Sequence, residues 1–135
     1  MSIGLLVLRL VVGVTFLLHG VDKLGDLSDT EAFFASLSIP AAGVMAPFVG
    51  VTETLGGLLL IAGFATPVAG VALAGDMAVA GVTAHIDHGF FAADGGVELV
   101  LLLGGASLAL ALTGAGRFGA DAALDLPRHH LEVTT

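Results

Sequence analysis

The sequence predicts an all-α fold: a polytopic membrane four-helix bundle with a short interfacial helix between the first and second spans. Three observations carry that expectation. Four long apolar runs, at residues 3–21, 43–64, 67–84 and 97–113, fill most of the 135 residues and are built almost wholly from Leu, Val, Ala, Gly, Ile and Phe. Hydrophobic residues make up 56% of the chain and charged residues 12%, with a mean hydropathy of +1.04, whereas soluble domains run near roughly 45–50% and about 25%. The few ionisable residues inside the runs lie on stripes of small residues, as bundle-facing groups do. Runs of about 18–20 apolar residues are long enough to cross a hydrocarbon core of roughly 30 Å. A soluble domain of this size exposes too much of its area to hide so much apolar surface.

The first run is expected to span as a helix over residues 3–24. It is long, lacks a basic leading segment and is followed by three similar runs, so it does not read as a cleavable signal peptide. Ser28-Asp29-Thr30-Glu31 then opens a polar, amphipathic stretch that continues through Ala32-Phe33-Phe34-Ala35-Ser36-Leu37. Ser28 with Glu31 three residues on reads as a capping box, so a short interfacial helix should end before Ile39-Pro40. The second span starts after Pro40, should bend at Pro47, which has no amide hydrogen to donate, and ends at Gly63. Thr66 is the expected N-cap of the third span and Pro67 its first residue. So short a link makes the second and third spans antiparallel neighbours. The next connection carries His85, Asp87, His88, Phe90, Phe91 and Asp94. The fourth span should begin near Gly95 and stop at Thr113-Gly114-Ala115-Gly116. Residues 1–121 therefore form one transmembrane domain, and residues 122–135 a polar, frayed tail in which His129 and His130 are solvated. Four crossings put both termini on one face with Arg117 and Arg128, leaving Lys23 alone opposite. The positive-inside bias then predicts a multi-pass protein of the cell membrane with cytoplasmic termini.

Composition excludes several chemistries. There is no Cys, which removes disulfides, thiol catalysis, Cys-ligated zinc and protein-ligated iron–sulfur clusters. Trp and Tyr are absent, so only Phe can serve at the membrane interface. A net charge of −8, carried outside the apolar runs, argues against nucleic acid and against a polybasic lipid-binding patch. An acidic skin with so few lysines suits high-salt surroundings. No phosphate loop, dinucleotide fingerprint or Ser/His/Asp arrangement is evident, and the glycines read as helix contacts.

Helical phase selects candidate site residues. Gly43, Gly50 and Gly57 repeat every seven residues with Glu53 on their stripe, so Glu53 should face the bundle. Ala69, Ala72, Asp76, Ala80 and Thr83 share a stripe, as do Arg9, Gly13, Phe16 and Gly20, with Thr15 and His19 on the adjoining face. Counting about 1.5 Å per residue suggests two clusters. Arg9, Glu53 and Asp76 form a buried set, the candidate catalytic or proton site. His19, His85 and Glu98, with Asp22 and Lys23 nearby, form a candidate cofactor-binding mouth on the far side. A charge in hydrocarbon costs at least a few kcal/mol, so each buried one is a functional candidate until a plain partner is found.

These residues also spell a family pattern. The first run reads Arg9-x-x-x-Gly13-x-x-Phe16-x-x-His19-Gly20-x-x-Lys23, and the second Gly50-x-x-Glu53-x-x-Gly56-Gly57-Leu58-Leu59-Leu60, ending at Gly63-Phe64-Ala65-Thr66-Pro67. Met77, His85 and Gly96-Val97-Glu98 follow, then Gly114-x-Gly116-Arg117-Phe118-x-x-Asp121. Over residues 5–121 this resembles the DoxX family of small four-helix membrane proteins. The resemblance implies a redox association: members resemble the membrane subunit of a thiosulfate:quinone oxidoreductase, and others are linked to thiol and oxidative-stress defence. Without Cys, any sulfur chemistry here would need a partner or a site of Arg, His and carboxylates.

Two function classes stay open. In the first, the chain is the membrane subunit of a quinone-linked oxidoreductase. The Arg and carboxylates then bind or protonate a quinone, and a redox partner subunit completes the assembly. A trio of one Arg and two carboxylates would carry −1 if fully ionised, which argues for one protonated carboxyl and hence a proton carrier. In the second, the chain is a non-catalytic scaffold or small-solute carrier whose charges fix helix packing, since breaking a buried ion pair is costly. Haem ligation by His19 and His85 is geometrically allowed but disfavoured. His85, Asp87 and His88 are a common chance spacing, and no metal site is expected. Beyond the lipid bilayer, a homo-oligomer is compatible with the glycine stripes. A His late in the first and third spans and a Glu in the second and fourth suggest a two-hairpin repeat, with a site at its interface.

Overall fold

A computed structural model describes residues 2–129. Every regular element among them is helical: α1 (Ser2–Gly25), α2 (Leu27–Ser36), α3 (Ala42–Ala62), α4 (Thr66–Ala80), α5 (Glu98–Thr113) and α6 (Ala120–His129). Past Ala80, α4 continues as a π turn over Gly81–His85 and a 3-10 turn over Ile86–His88, and a second 3-10 turn covers Ala92–Asp94. Three helical stretches, Ser2–Gly25, Ala42–Ala62 and Thr66–His88, are long and apolar enough to cross a membrane. At about 1.5 Å per residue they reach roughly 36, 32 and 34 Å. The fourth, α5, has 16 residues, about 24 Å, because the loop before it runs on to Val97.

The helices are assembled as two antiparallel pairs, α1 with α3 and α4 with α5, joined through α3 and α4. Glycine sets the approach of the first pair. A Cβ on Gly57 would lie 2.6 Å from the Gly13 carbonyl oxygen, and one on Gly13 would lie 2.8 Å from that of Gly57. No side chain fits there, and that closeness is how helices gain dispersion contact where lipid offers no hydrophobic drive. Gly70 meets the Ser107 carbonyl in the second pair. Between the pairs, Val12, Phe16, Leu60, Ala69, Leu73, Met77 and Leu110 form the apolar core.

The outside is as apolar as the core. Val11, Leu18, Val44, Val71, Val82, Leu102 and Leu112 are all more than half exposed. A water-soluble protein does not present such a continuous apolar surface, whereas a bilayer demands it. Arg9, Glu53, Thr66 and Ser107 are instead the buried polar residues. Exposed Phe64 and Phe118 lie at the face of the termini, and Phe33, Phe90 and Phe91 at the other, so phenylalanine occupies both interfacial levels.

Several local expectations need correction. The interfacial helix begins at Leu27, and its cap is Asp26, whose side chain accepts from the Asp29 amide at 3.0 Å, not Ser28. Either residue would satisfy one of the free amides of a first turn, and the helix starts one residue before Ser28. Thr66 lies inside α4, and its helix is capped from elsewhere. Pro47 is accommodated within α3. The fourth span starts at Glu98 and not near Gly95, because Gly89 and Gly95 adopt positive φ and the loop folds back on itself, the Glu98 amide donating to Phe90 at 2.8 Å. The stretch after Asp121, expected to be frayed, is helical to His129. His130 lies outside the described residues, and the expectation for the side chains of Arg128 and His129 lies outside them too.

Candidate functional site

Two polar assemblies sit at opposite ends of the bundle. At the end holding the termini, the Arg9 guanidinium is 1% exposed and is spent on backbone. Its Nε donates to the Leu60 carbonyl at 3.0 Å, Nη1 to Ala115 at 2.7 Å and Nη2 to Ile61 at 3.3 Å. The carbonyls of Leu60 and Ile61 belong to the last turn of α3, where the helix's own ladder runs out and its dipole is negative. Asp121 answers at the adjoining start of α4. Its two oxygens accept from the Ala65 amide at 2.8 Å and the Thr66 amide at 3.1 Å, and its own amide donates to Gly63 at 3.0 Å. Gly63 turns the chain there with φ +68, and a Cβ on it would lie 2.7 Å from Arg9 Nη1. The result is a knot that ties α1, the α3–α4 turn, Ala115 and the first turn of α6.

At the other end, the ionisable groups face one another around a void. Glu53 is 2% exposed, and its Oε2 accepts from Lys23 Nζ at 2.8 Å. Asp76 lines the same hollow as Glu53, and its Oδ2 is buried with no hydrogen-bond partner. Beside them is a cavity of about 260 Å³, whose polar wall includes His19, Lys23, Glu53, Asp76, Thr83 and His85. Its apolar wall includes Phe16 and Met77 from the core and Phe33, Phe34 and Leu37 from α2 and the residue that ends it. The amphipathic segment thus roofs the cavity with its aromatic side. The π turn at the end of α4 contributes Thr83, Ala84 and His85, and such turns recur where a helix bends to serve a site. His85 Nδ1 lies 2.8 Å from the Gly95 carbonyl oxygen. A carbonyl only accepts, so Nδ1 carries the proton and, in the neutral ring, Nε2 is the accepting nitrogen.

The expected grouping of Arg9 with Glu53 and Asp76 does not form. Gly13 opposes Gly57, and that register sets Arg9 against Leu60 and Ile61. Glu53 lies eight residues back along α3, about 12 Å away. Glu53 and Asp76 instead join His19 and His85, the two histidines of the expected mouth. Glu98 leaves that set: its Oε2 accepts from the Ala92 amide at 2.9 Å and holds the 3-10 turn over Ala92–Asp94. Asp22 is exposed, as are Asp87 and His88. Among the described residues no group of three or more metal-ligating side chains assembles. Sequence reasoning treated Lys23 as a bystander, although it lies one helical turn beyond His19 on α1 and shares its side.

Residues 4–86 match the family described as DoxX. The chain belongs to the DoxX family. The matched stretch holds Arg9 and every ionisable residue of the cavity wall, while α5 and the segment with Asp121 lie beyond it. This DoxX chain is 35% identical over 113 residues to CatD of Bacillus subtilis (strain 168), covering 84% of this chain and 81% of that one; the relative's name proposes an oxidoreductase. It is 31% identical over 128 residues to YqjF of Escherichia coli (strain K12), named an inner membrane protein, covering 92% and 94% of the two chains. No solved structure matches.

Proposed function

We propose that this DoxX protein is the membrane subunit of a quinone-linked oxidoreductase and that its cavity receives the quinone head group. The cavity itself carries the reading: about 260 Å³ of largely apolar space with Lys23, Glu53, Asp76, His19 and His85 on its wall. Taking about 30 Å³ per water, that is room for one substituted ring. Few convergent polar groups in an apolar hollow are the usual build of a small-molecule site. Reducing a quinone to the quinol takes two electrons and two protons, and turns both carbonyl groups into hydroxyls. Lys23 is a donor for one carbonyl oxygen. Glu53 and Asp76, two carboxyls on the cavity wall, are the proposed proton source, with His85 on the same wall as a relay. The electrons come from a partner redox subunit bearing a reduced flavin or metal centre, consistent with the oxidoreductase name of CatD.

The termini are proposed to be cytoplasmic. Arg117 is exposed at their face, while the lone lysine opposite is neutralised by Glu53, which sharpens the positive-inside bias. A second reading, a scaffold or small-solute carrier, rests on the Arg9 knot, which shows that the chain does use buried charge for packing alone.

The test is extraction into native-lipid discs, chromatography for quinone, and titration with a decyl-substituted benzoquinone. Co-purifying quinone and one saturable site per chain are expected. Neither, even with a redox partner subunit present, would exclude the quinone reading in favour of the scaffold.

A further inference from the structure

We infer that the cavity opens sideways into the bilayer, through a slot between α2 and the α4–α5 pair, and that its occupant is a single-tailed amphiphile whose tail lies in that slot. The inference rests on the cavity's being a head-group site, and adds how the ligand arrives and what it must carry.

Of the five exposed residues on the cavity wall, His19, Phe33, Val79, Thr83 and Leu99, the three apolar ones mark the aperture. Phe33 on α2, Val79 on α4 and Leu99 on α5 all line the cavity, yet they are 54%, 57% and 45% exposed on the outer surface. A side chain that is both wall and perimeter marks a place where the void reaches outside. Val79 stands thirteen residues from the start of α4 at Thr66, about 20 Å along a stretch of roughly 34 Å. That is hydrocarbon depth, so what lies outside Val79 is lipid tail and not water. Helix packing agrees: α2 rests on α3 and on the end of α1, with at most marginal contact to α4 or α5. Asp76 and Thr83 share Val79's side of α4, whereas Lys23 and Glu53 reach the cavity from α1 and α3. A head group placed against them points the rest of its molecule at the slot.

Volume sets the division between head and tail. About 260 Å³ is near the lower end of small-molecule pockets and is filled by one ring. A chain of several methylenes cannot also fit inside. Leaving through the slot costs it nothing, because Phe33, Val79 and Leu99 offer the same apolar surroundings as the acyl chains beside them.

The chain contains no Trp, so Phe34→Trp places a sole fluorophore on the cavity wall, and Met45→Trp, also on the wall, replaces it should the first variant fail to fold. Binding in lipid nanodiscs is read as quenching by a tail-free dimethyl benzoquinone and by its decyl-substituted counterpart, each referred to its concentration in the membrane. Val79→Phe with Leu99→Phe narrows the slot. The narrowed slot should weaken the decyl ligand at least tenfold and leave the tail-free ligand within twofold. Equal weakening of both, or of neither, overturns the slot. If neither quinone quenches even with the native slot, the quinone reading fails by itself. The slot is then judged with phosphatidylcholine brominated on its acyl chain: quenching of the reporter by bromine upholds lateral opening, and quenching by aqueous iodide alone overturns it.

Discussion

Arg9 and Lys23 stand on the same helix, about 21 Å apart along its axis, and each neutralises its surroundings in a different way. Arg9 spends its planar fork on three carbonyls, and the open hollow beside the knot, lined by Ala65, Ala115 and Asp121, does not include its side chain. Lys23 offers a compact point charge to one carboxylate, and a second carboxyl and two histidines share the same hollow. Guanidinium geometry suits fixed multidentate bonding, whereas an ammonium on a flexible stem can change partners. One end of the bundle therefore uses its buried cation to fix packing, and the other sets its cation on the wall of a cavity. A buried charge in a membrane protein is thus not by itself a sign of chemistry. What distinguishes the two ends is whether the partner is backbone or another titratable group, and whether the charged side chains themselves line a hollow.

Substitution at the Arg9 end should have the largest effect on folding. Arg9→Met strips donors from three carbonyls, at about 1–3 kcal/mol for each one left unmet, so we expect roughly 3 kcal/mol or more of lost stability, seen as a fall in folded yield and melting temperature in detergent. Arg9→Lys should recover only part of it, because one ammonium cannot reach three carbonyls in fixed directions. Full recovery would show that charge, and not the fork, is what matters there.

At the other end, Lys23→Met leaves the buried Glu53 carboxyl without its cation. Removing one partner of a fully buried pair costs about 3–5 kcal/mol; with Lys23 a quarter exposed, roughly 1–3 kcal/mol is expected. Pairing it with Glu53→Gln should restore the melting temperature, and a pair no more stable than the single variant would put the Lys23–Glu53 bond in doubt. Asp121→Asn keeps the shape of the α4 cap but removes its charge, for about 1 kcal/mol and no change in ligand binding. The smallest effect is the sharpest separation of the two ends. Arg9→Lys and Glu53→Gln should add within about 0.5 kcal/mol, as groups that share no partner do. A larger coupling energy would mean that the ends communicate.

The spans were legible because hydrocarbon leaves so little choice: run length, Gly57 at a helix contact and Glu53 turned inward follow from composition and a 3.6-residue period. Depth was legible only roughly. Counting residues from the ends of each run set Arg9 toward the inner half and Glu53 near mid-membrane, close enough to group them, but the Gly13–Gly57 contact sets the register, and a contact between distant segments leaves no local mark. Arg9's partners were invisible for another reason. They are backbone carbonyls, which every residue owns and no pattern singles out. The two cap errors share one cause: the helices start earlier than the hydroxyl residues suggested, and carboxylates, Asp26 and Asp121, accept the first amides, Asp121 from 55 residues away. The roof of the cavity was half legible, since Phe33 and Phe34 announced an apolar side without saying what it would cover.

The most direct test of the difference between the two ends is ligand titration of the paired Lys23→Met and Glu53→Gln variant beside Asp121→Asn, both in nanodiscs, with the decyl benzoquinone as probe. The paired variant should melt within a few degrees of the native protein and bind at least tenfold more weakly, while Asp121→Asn melts lower and binds as the native protein does. Native affinity in the paired variant, with affinity lost instead on changing Asp121, would contradict the assignment of the site to the cavity.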